Sequence, residues 1–280
     1  MKKLQVFLLS LCLWAPCSAQ GPHSVVSYNI RYAARGDTGP RQWGQRCDQV
    51  VDYLHRSGAT LIGLQEALNH QLSDLKKGLS GFQFVGVGRD DGKERGEFSP
   101  IFYDPKTWEL DAKQSGTFWL SESPEKPGSM SWGNEIPRIC TWARFIDNGG
   151  KGLYLYNTHW DHRSQASRVK SAQLIAQMIQ KRQHLNEPYL VIGDFNATTE
   201  NPAILSLMDL AQLTTFQESQ KASFNHWKPS LEAGLRIDHV FTSKGVKATT
   251  LAVEANGDPV GSDHHPVILR GLRFESREVK

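Results

Sequence analysis

The chain has 280 residues, 39% of them hydrophobic and 22% charged, with no low-complexity stretch. That is enough apolar material for one full α/β core, and it excludes an intrinsically disordered chain. Thirty-two Lys and Arg stand against 29 Asp and Glu; without Lys2 and Lys3, which belong to the leader segment below, the net charge is +1. A near-neutral mature chain excludes a strong bulk field for nucleic acid or an anionic membrane.

The first residues, MKKLQVFLLSLCLWAPCSAQ, place two lysines ahead of an apolar run from Leu4 to Trp14, with small residues at Cys17, Ser18 and Ala19. This is the pattern of a bacterial-type secretory signal cleaved after Ala19. The apolar run is too short to span a bilayer, so no stable membrane insertion is expected. The mature chain, 20–280, is expected outside the cytoplasm as a monomer, either periplasmic or extracellular. Pro16 and Trp14 fit lipid attachment at Cys17 poorly. Of the four cysteines, Cys47 and Cys140 remain, one in a helical pattern and one in a strand pattern; two buried free thiols are expected rather than a disulfide.

From Ser24 onward short β-rich runs alternate with helical segments. SVVSYNI reads as a strand. QWGQRCDQVVDYLHRSG carries Trp43, Cys47, Val50, Val51 and Leu54 at helical spacing and stops at Gly58; TLIGLQE is then a buried strand. A second helix is predicted at about Asn69–Gly78, followed by antiparallel strands in GFQFVGVG, SPIFYD and TWELDAKQSGTFWLS. Residues 121–137 form a loop rich in Pro, Gly and Ser, long enough for a functional role.

Two strands follow, RICTWARFI and LYLYNTH. A helix from about Ser164 to Arg182 presents Val169, Ala172, Ile175, Ala176 and Ile179 on one face. YLVIGDFN is a buried strand, Asn201–Leu210 a short helix, and RIDHVFTS and PVILRGL close the chain. Nothing interrupts this alternation, so 20–280 is one domain.

Four of the apolar strands end in polar groups: Asn29, then Gln65 with Glu66, then His159, then Asp194 with Asn196. Any single one reads as a cap or turn residue. Four in series read differently, because paired strands set their ends along one edge where such groups converge. On extended backbone Asp194 and Asn196 share a face while Phe195 points into the core, and Asn157 pairs with His159 in the same way. Adjacent His264 and His265 face opposite sides, so one of them serves a site.

The segments SYNI, LQE, NTHWD, GDFN, RIDHVF and SDHHP, in this order across nearly the whole mature chain, resemble the endonuclease/exonuclease/phosphatase family. The resemblance implies a DNase I-like four-layer α/β/β/α sandwich, with two mixed sheets face to face, flanked by helices, and an active site at one edge. It implies a hydrolase of phosphodiester or phosphomonoester bonds, nuclease-like, dependent on Mg²⁺ or Mn²⁺. The expected substrate is a phosphate ester, nucleic acid or nucleotide included, with a phospholipid or sugar-phosphate esterase of the same fold as the alternative.

Roles follow residue by residue from that resemblance. Glu66 matches the metal ligand, Asn29 the amide beside it, and Asp263 a further carboxylate near the metal. Asp194 matches the group that orients or deprotonates the attacking water, with Asn196 beside it. His264 matches the histidine that hydrogen-bonds the phosphate, Asp238 the carboxylate that holds it, and His159 the second phosphate-facing histidine. Glu97 and Tyr103 fall where substrate-contacting elements lie. Arg163 and Arg168, with Asp161 and His162, meet substrate phosphate at a helix start or form a capping and salt-bridge cluster. Trp132 and Trp227, in polar loops, stack on a base or sugar or pack as lids.

One rival remains in NTHWDH, which is one residue short of the H-x-H-x-D-H dinuclear zinc pattern. Asn157 stands where the first His belongs and is a poor zinc ligand, and this reading leaves LQE, GDFN and SDHHP unexplained.

Overall fold

A computed structural model describes residues 23–216 and 221–274. Its first strand, β1 (His23–Asn29), runs parallel to β2 (Leu61–Gln65), so that Asn29 and Gln65 end side by side. Parallel neighbours need a crossover, and α1 (Trp43–Ser57) supplies it with Trp43, Val50, Tyr53 and Leu54 turned inward. Gly58 closes the helix at φ 65, a left-handed conformation that glycine adopts without strain. The short α2 (Asn69–Gly78) packs beside α1.

Beyond α2, β3 (Gln83–Val85) and β4 (Ile101–Tyr103) extend this sheet from β2. The strand expected across GFQFVGVG stops at Val85, and residues 86–100 instead fold back as a loop toward the end of β2. There Ala67 bridges Phe98, and Leu64 donates to the carbonyl of Pro100. The long β5 (Trp108–Trp119) pairs with β6 (Ile139–Asp147), with a register shift between Asp111 and Ser115.

The second half repeats the parallel crossover. Strand β7 (Gly152–His159) runs parallel to β8 (Tyr189–Asp194) through α3 (Gln165–Gln180), and His159 ends beside Asp194. After α4 (Pro202–Leu210), capped by the Asn201 side chain, come β9 (Leu213–Thr214), β10 (Asp238–Ser243), β11 (Val246–Lys247), β12 (Thr250–Val253) and β13 (Val267–Phe274).

The described strands form two mixed sheets. One has the order β11-β13-β1-β2-β4-β3 with β12 on β13, and the other β5-β6-β7-β8-β10-β9. Three apolar layers hold them. Val26, Tyr28 and Ile62 pack under α1 and α2; Val25, Leu61, Leu155 and Ile192 fill the space between the sheets; Tyr156, Val191 and Phe241 pack under α3 and α4. The alternation of Val25 and Val26 between two layers is the period of a strand buried on both faces. This is the four-layer α/β/β/α sandwich that the resemblance implies.

Where the sheets meet near the strand ends, a Cβ on Gly63 would lie 2.5 Å from Ile192 Cδ1 and 2.8 Å from Asn157 Cγ. Only glycine lets the two sheets approach this closely, and that approach brings side chains from both into one cluster. Cys47 and Cys140 are free and sit in opposite outer layers, with both sheets between them; Cys140 is buried as expected, but Cys47 is only half-buried. The leader, residues 1–19, lies outside the described residues. No helix among the described residues is long and apolar enough to cross a membrane.

Candidate active site

Asn29 ties the two sheets together. Its amide nitrogen donates to Glu66 Oε1 and to Asp194 Oδ2, both at 3.0 Å, and its oxygen accepts from the backbone N–H of Arg31 at 2.9 Å. Both amide hydrogens of a fully buried side chain are thus spent on carboxylates from different sheets. Glu66 follows β2 at φ 63, a conformation that costs a non-glycine residue about 1 kcal/mol or more. Its second oxygen accepts from the N–H of Tyr32 at 3.1 Å.

Asp194 Oδ2 is the centre of the cluster. His159 Nε2 lies 3.6 Å from it and His264 Nε2 3.7 Å. Strand β10 pairs antiparallel with β8 so that Asp238 stands opposite Asp194, and Asp238 Oδ2 meets His264 Nδ1 at 2.8 Å. On the other flank His159 Nδ1, which has no hydrogen-bond partner among the described residues, lies 4.0 Å from Glu97 Oε2. Glu97 is gripped by both terminal nitrogens of Arg89 at 2.7 Å.

Burial and the charge of Asp238 push the Asp194 carboxyl up to about 7. The two histidines diverge. Burial disfavours charge on His264, but the carboxylates of Asp238 and Asp194 outweigh it and raise the imidazole to about 10. His159 is held well below its ordinary value by burial, then by Arg138 and Arg89. One imidazole is therefore charged and the other neutral around a single carboxylate, the separation that assigns acid and base roles.

Asp263 extends the cluster on the Glu66 side. Its Oδ2 lies 3.8 Å from Arg31 Nη1, and burial together with the charge of Glu66 pushes its carboxyl up. Glu66, Asp194, Asp238 and Asp263 concentrate negative charge from hard oxygen donors, and Asp238 Oδ1 is a buried acceptor without a partner among the described residues. That donor set fits a divalent cation such as Mg²⁺. Asp194, Asp238 and His264 each offer a ligand atom within 4.8 Å of the others. Asp238 Oδ2 and His264 Nδ1 are already spent on one another, however, and a protonated imidazole has no lone pair to give. That leaves Glu66 and Asp263 as the carboxylates that could hold a cation.

Asn196 reaches the site by a route the spacing did not foresee. The strand ends at Asp194, Phe195 turns into the core against Trp160, and Asn196 adopts φ 48. A left-handed turn, not the pleat, brings it back: its N–H donates to Asp194 Oδ1 at 2.9 Å and its side chain to the Trp160 carbonyl at 3.1 Å. His265 faces away from His264, toward the carbonyl of Ser230.

Three expected substrate contacts are not brought together with this cluster. Tyr103 pairs with Leu61 at the opposite end of β2 from Glu66, packs on Phe145, and donates to Gln83 Oε1. Arg163 points outward to Glu135. Arg168 donates to the Asp161 carbonyl and to Gln165, bracing the start of α3. Asp161 accepts from the N–H groups of Arg163 and Ser164, which is the capping alternative. Asn157 settles the zinc rival: it donates to the Leu64 and Pro100 carbonyls and accepts from Gln65 Nε2, so it is a strut between the sheets.

The structure adds three arginines. Arg31 leans on Asp263, Arg89 forks onto Glu97, and Arg138 is buried with Nη2 at 2.9 Å from His162 Nδ1 and Nε at 3.6 Å from Asp161. Arg138 carried a signal, a lone cation opening an apolar strand; Arg89, inside GRDDG, carried none.

The family model of the endonuclease/exonuclease/phosphatase family matches residues 26–264. An endonuclease/exonuclease/phosphatase from Bacteroides vulgatus is similar at 32% identity, over 91% of this chain and 100% of its own, with a TM-score of 0.85. A mannosyl-6-phosphatase from Bacteroides thetaiotaomicron is similar at 32% identity over 90% and 100%, with a TM-score of 0.83. The catalytic domain of human Nocturnin, at 15% identity over 91% and 94% and a TM-score of 0.72, shares the fold alone. No curated protein matches the chain. With a family model covering most of its length, and a cluster of carboxylates and imidazoles at the sheet edge, the chain belongs to the endonuclease/exonuclease/phosphatase family and is a hydrolase of phosphoric esters.

Proposed function

We propose that the protein is an exported, monomeric, divalent-metal-dependent phosphatase that releases phosphate from a sugar phosphate by in-line attack of water. The observation that carries this reading is Asp194 Oδ2, bonded to Asn29 and flanked by one charged and one neutral imidazole.

Glu66 and Asp263, with Asn29 holding Glu66 in place, are the residues that hold the cation, Mg²⁺ or Mn²⁺. When bound, it supplies positive charge to the non-bridging phosphate oxygens. Asp194 takes the proton of the attacking water, a role suited to a carboxyl raised to about 7. Asn29 and the N–H of Asn196 hold that carboxylate in one orientation. His264, charged and held by Asp238, donates its Nε2 proton to a phosphate oxygen as negative charge builds there. His159, neutral, completes the opposite wall with Arg89 and Arg138 behind it.

Of the substrate classes within the resemblance, the sugar phosphates have specific support. The relative at 32% identity over its whole length is a mannosyl-6-phosphatase. The mature net charge of +1 gives no strong bulk field toward a nucleic-acid backbone. Export rests on Lys2, Lys3, the apolar run and the small residues to Ala19. The test is residues 20–280 with Mg²⁺ against mannose 6-phosphate, single-stranded DNA and duplex DNA. Phosphate release from the sugar with both DNAs intact supports the reading; DNA cleavage without phosphate release from the sugar overturns it.

A further inference from the structure

The loop that follows β1 leads straight from the reacting groups into a cleft. Arg31 donates its N–H to Asn29 and Tyr32 donates its N–H to Glu66, after which residues 33–37 line an opening of about 770 Å³ whose far wall is Arg89, Gly96 and Glu97. The volume is that of a small-molecule site. A group attached to the phosphorus through its ester oxygen enters this cleft when the phosphate sits on Asp194 and His264.

The walls restrict what that group is. Two of the three cations on these walls are matched by carboxylates: Arg31 lies 3.4 Å from Asp37 and Arg89 forks onto Glu97, while Arg35 stands exposed at the rim. A polyanion gains little from such pairs and meets their carboxylates as well. The aromatic ring of Tyr32 is already covered by the Arg31 guanidinium at 4.7 Å, so it offers that face to no planar base. Ala33, Ala34 and Gly36 leave room for a ring without presenting a broad apolar floor.

Two polar atoms of one ion pair stand ready there. Arg31 Nε and Asp37 Oδ2 are buried and have no hydrogen-bond partner among the described residues. Buried polar atoms in a folded protein are satisfied by something. An acceptor and a donor on neighbouring side chains match a pair of adjacent hydroxyls, one donating to the carboxylate and the other accepting from the guanidinium. We propose that this cleft seats the sugar of the substrate, with Asp37 and Arg31 reading two neighbouring hydroxyls. The assignment rests on the phosphatase reading above and adds to it the residues that choose the leaving group.

The test compares kcat/KM for mannose 6-phosphate with that for ethyl phosphate, which has no hydroxyls to read, in the wild-type protein and in Asp37→Leu and Asp37→Asn. The wild-type ratio is expected to exceed one by about two orders of magnitude, and Asp37→Leu to lower it at least about tenfold, with Asp37→Asn intermediate. A wild-type panel of deoxy analogues of mannose 6-phosphate, each lacking one hydroxyl, needs no variant to fold: removal of one of two adjacent hydroxyls is expected to cost about tenfold or more. Turnover of both phosphates with a ratio unchanged in Asp37→Leu, or no penalty for any deoxy analogue, overturns the sugar subsite and leaves the phosphatase reading standing. Absence of turnover on either phosphate overturns both.

Discussion

Asp238 Oδ2 lies 2.8 Å from His264 Nδ1, although Asp238 opens β10 and His264 lies 26 positions on, in the segment that leads into β13. The bond fixes which ring nitrogen faces Asp194 and keeps the imidazole charged. Asp238→Asn is therefore expected to lower turnover mainly through His264, and Asp238→Asn with His264→Ala to be little worse than His264→Ala alone. Losses that simply multiply would separate the two residues.

The same substitution has a signature in pH. Burial and then the Asp238 charge raise Asp194 to about 7, and the Asp238 charge, with that of Asp194, raises His264 to about 10. Its removal lowers both, so the acid limb and the basic limb of the kcat/KM profile should move together to lower pH. A profile that drops in height without moving shows that Asp238 is not coupled to either group.

Asn29 holds carboxylates from two sheets within reach of one amide. Asn29→Ala removes their shared donor inside a buried cluster, and the expected loss is ~2–4 kcal/mol in chemical unfolding, together with at least about a hundredfold in kcat. Retention of full stability with only a catalytic loss would make Asn29 a ligand and not a strut between sheets.

Stability should fall as the pH of the metal-free protein rises. Asp194 keeps its proton to about 7 in the folded chain against an ordinary value of 3.8, so between these values the folded chain binds more protons and loses stability with each pH step upward. His264, raised from 6.5 to about 10, contributes stability below 6.5 that is lost as pH rises through 10. Both signs agree. In EDTA the Tm should decline from pH 7 to pH 9, above the range where His159, held neutral in the fold, pulls the other way, and Mg²⁺ should restore more of it at the alkaline end while also restoring activity. A Tm that rises across this range, or rescue by Zn²⁺ and not by Mg²⁺ or Mn²⁺, contradicts the charge cluster described.

Much of this arrangement was legible from residue order. Strands buried on both faces announce themselves by composition, and polar groups at their ends marked Asn29, Glu66, His159 and Asp194 before any pairing was known. Tyr103 was placed by the resemblance and not by the pattern of its own strand; the antiparallel register of β2 and β4 decides which end of that strand faces the site, and it sends Tyr103 away. Asn196 arrived through a left-handed turn that no spacing rule on extended backbone predicts. Arg89 was illegible because a charged residue in a polar loop is ordinarily solvated and only the fold brings Glu97 to it; Arg138 showed as a lone cation opening an apolar strand, but its partners Asp161 and His162 come from a distant segment.

NTHWDH offers a separate check on the sequence reading. Asn157→His completes the H-x-H-x-D-H pattern, yet it replaces a strut bonded to Leu64, Pro100 and Gln65. The expected result is a protein that binds no additional zinc and is less stable by about 2 kcal/mol or more. Stoichiometric uptake of two zinc ions by this variant would reopen the zinc reading.

The central claim is that Asp194 is the proton acceptor of a phosphate-releasing reaction. Its most direct test is inorganic phosphate released from mannose 6-phosphate at saturating Mg²⁺ by the wild-type protein and by Asp194→Asn, which keeps the shape of the side chain and removes its charge. The account predicts steady release by the wild type and a loss of at least about a hundredfold in the variant, with its folded structure retained. Release by Asp194→Asn near the wild-type rate would contradict it.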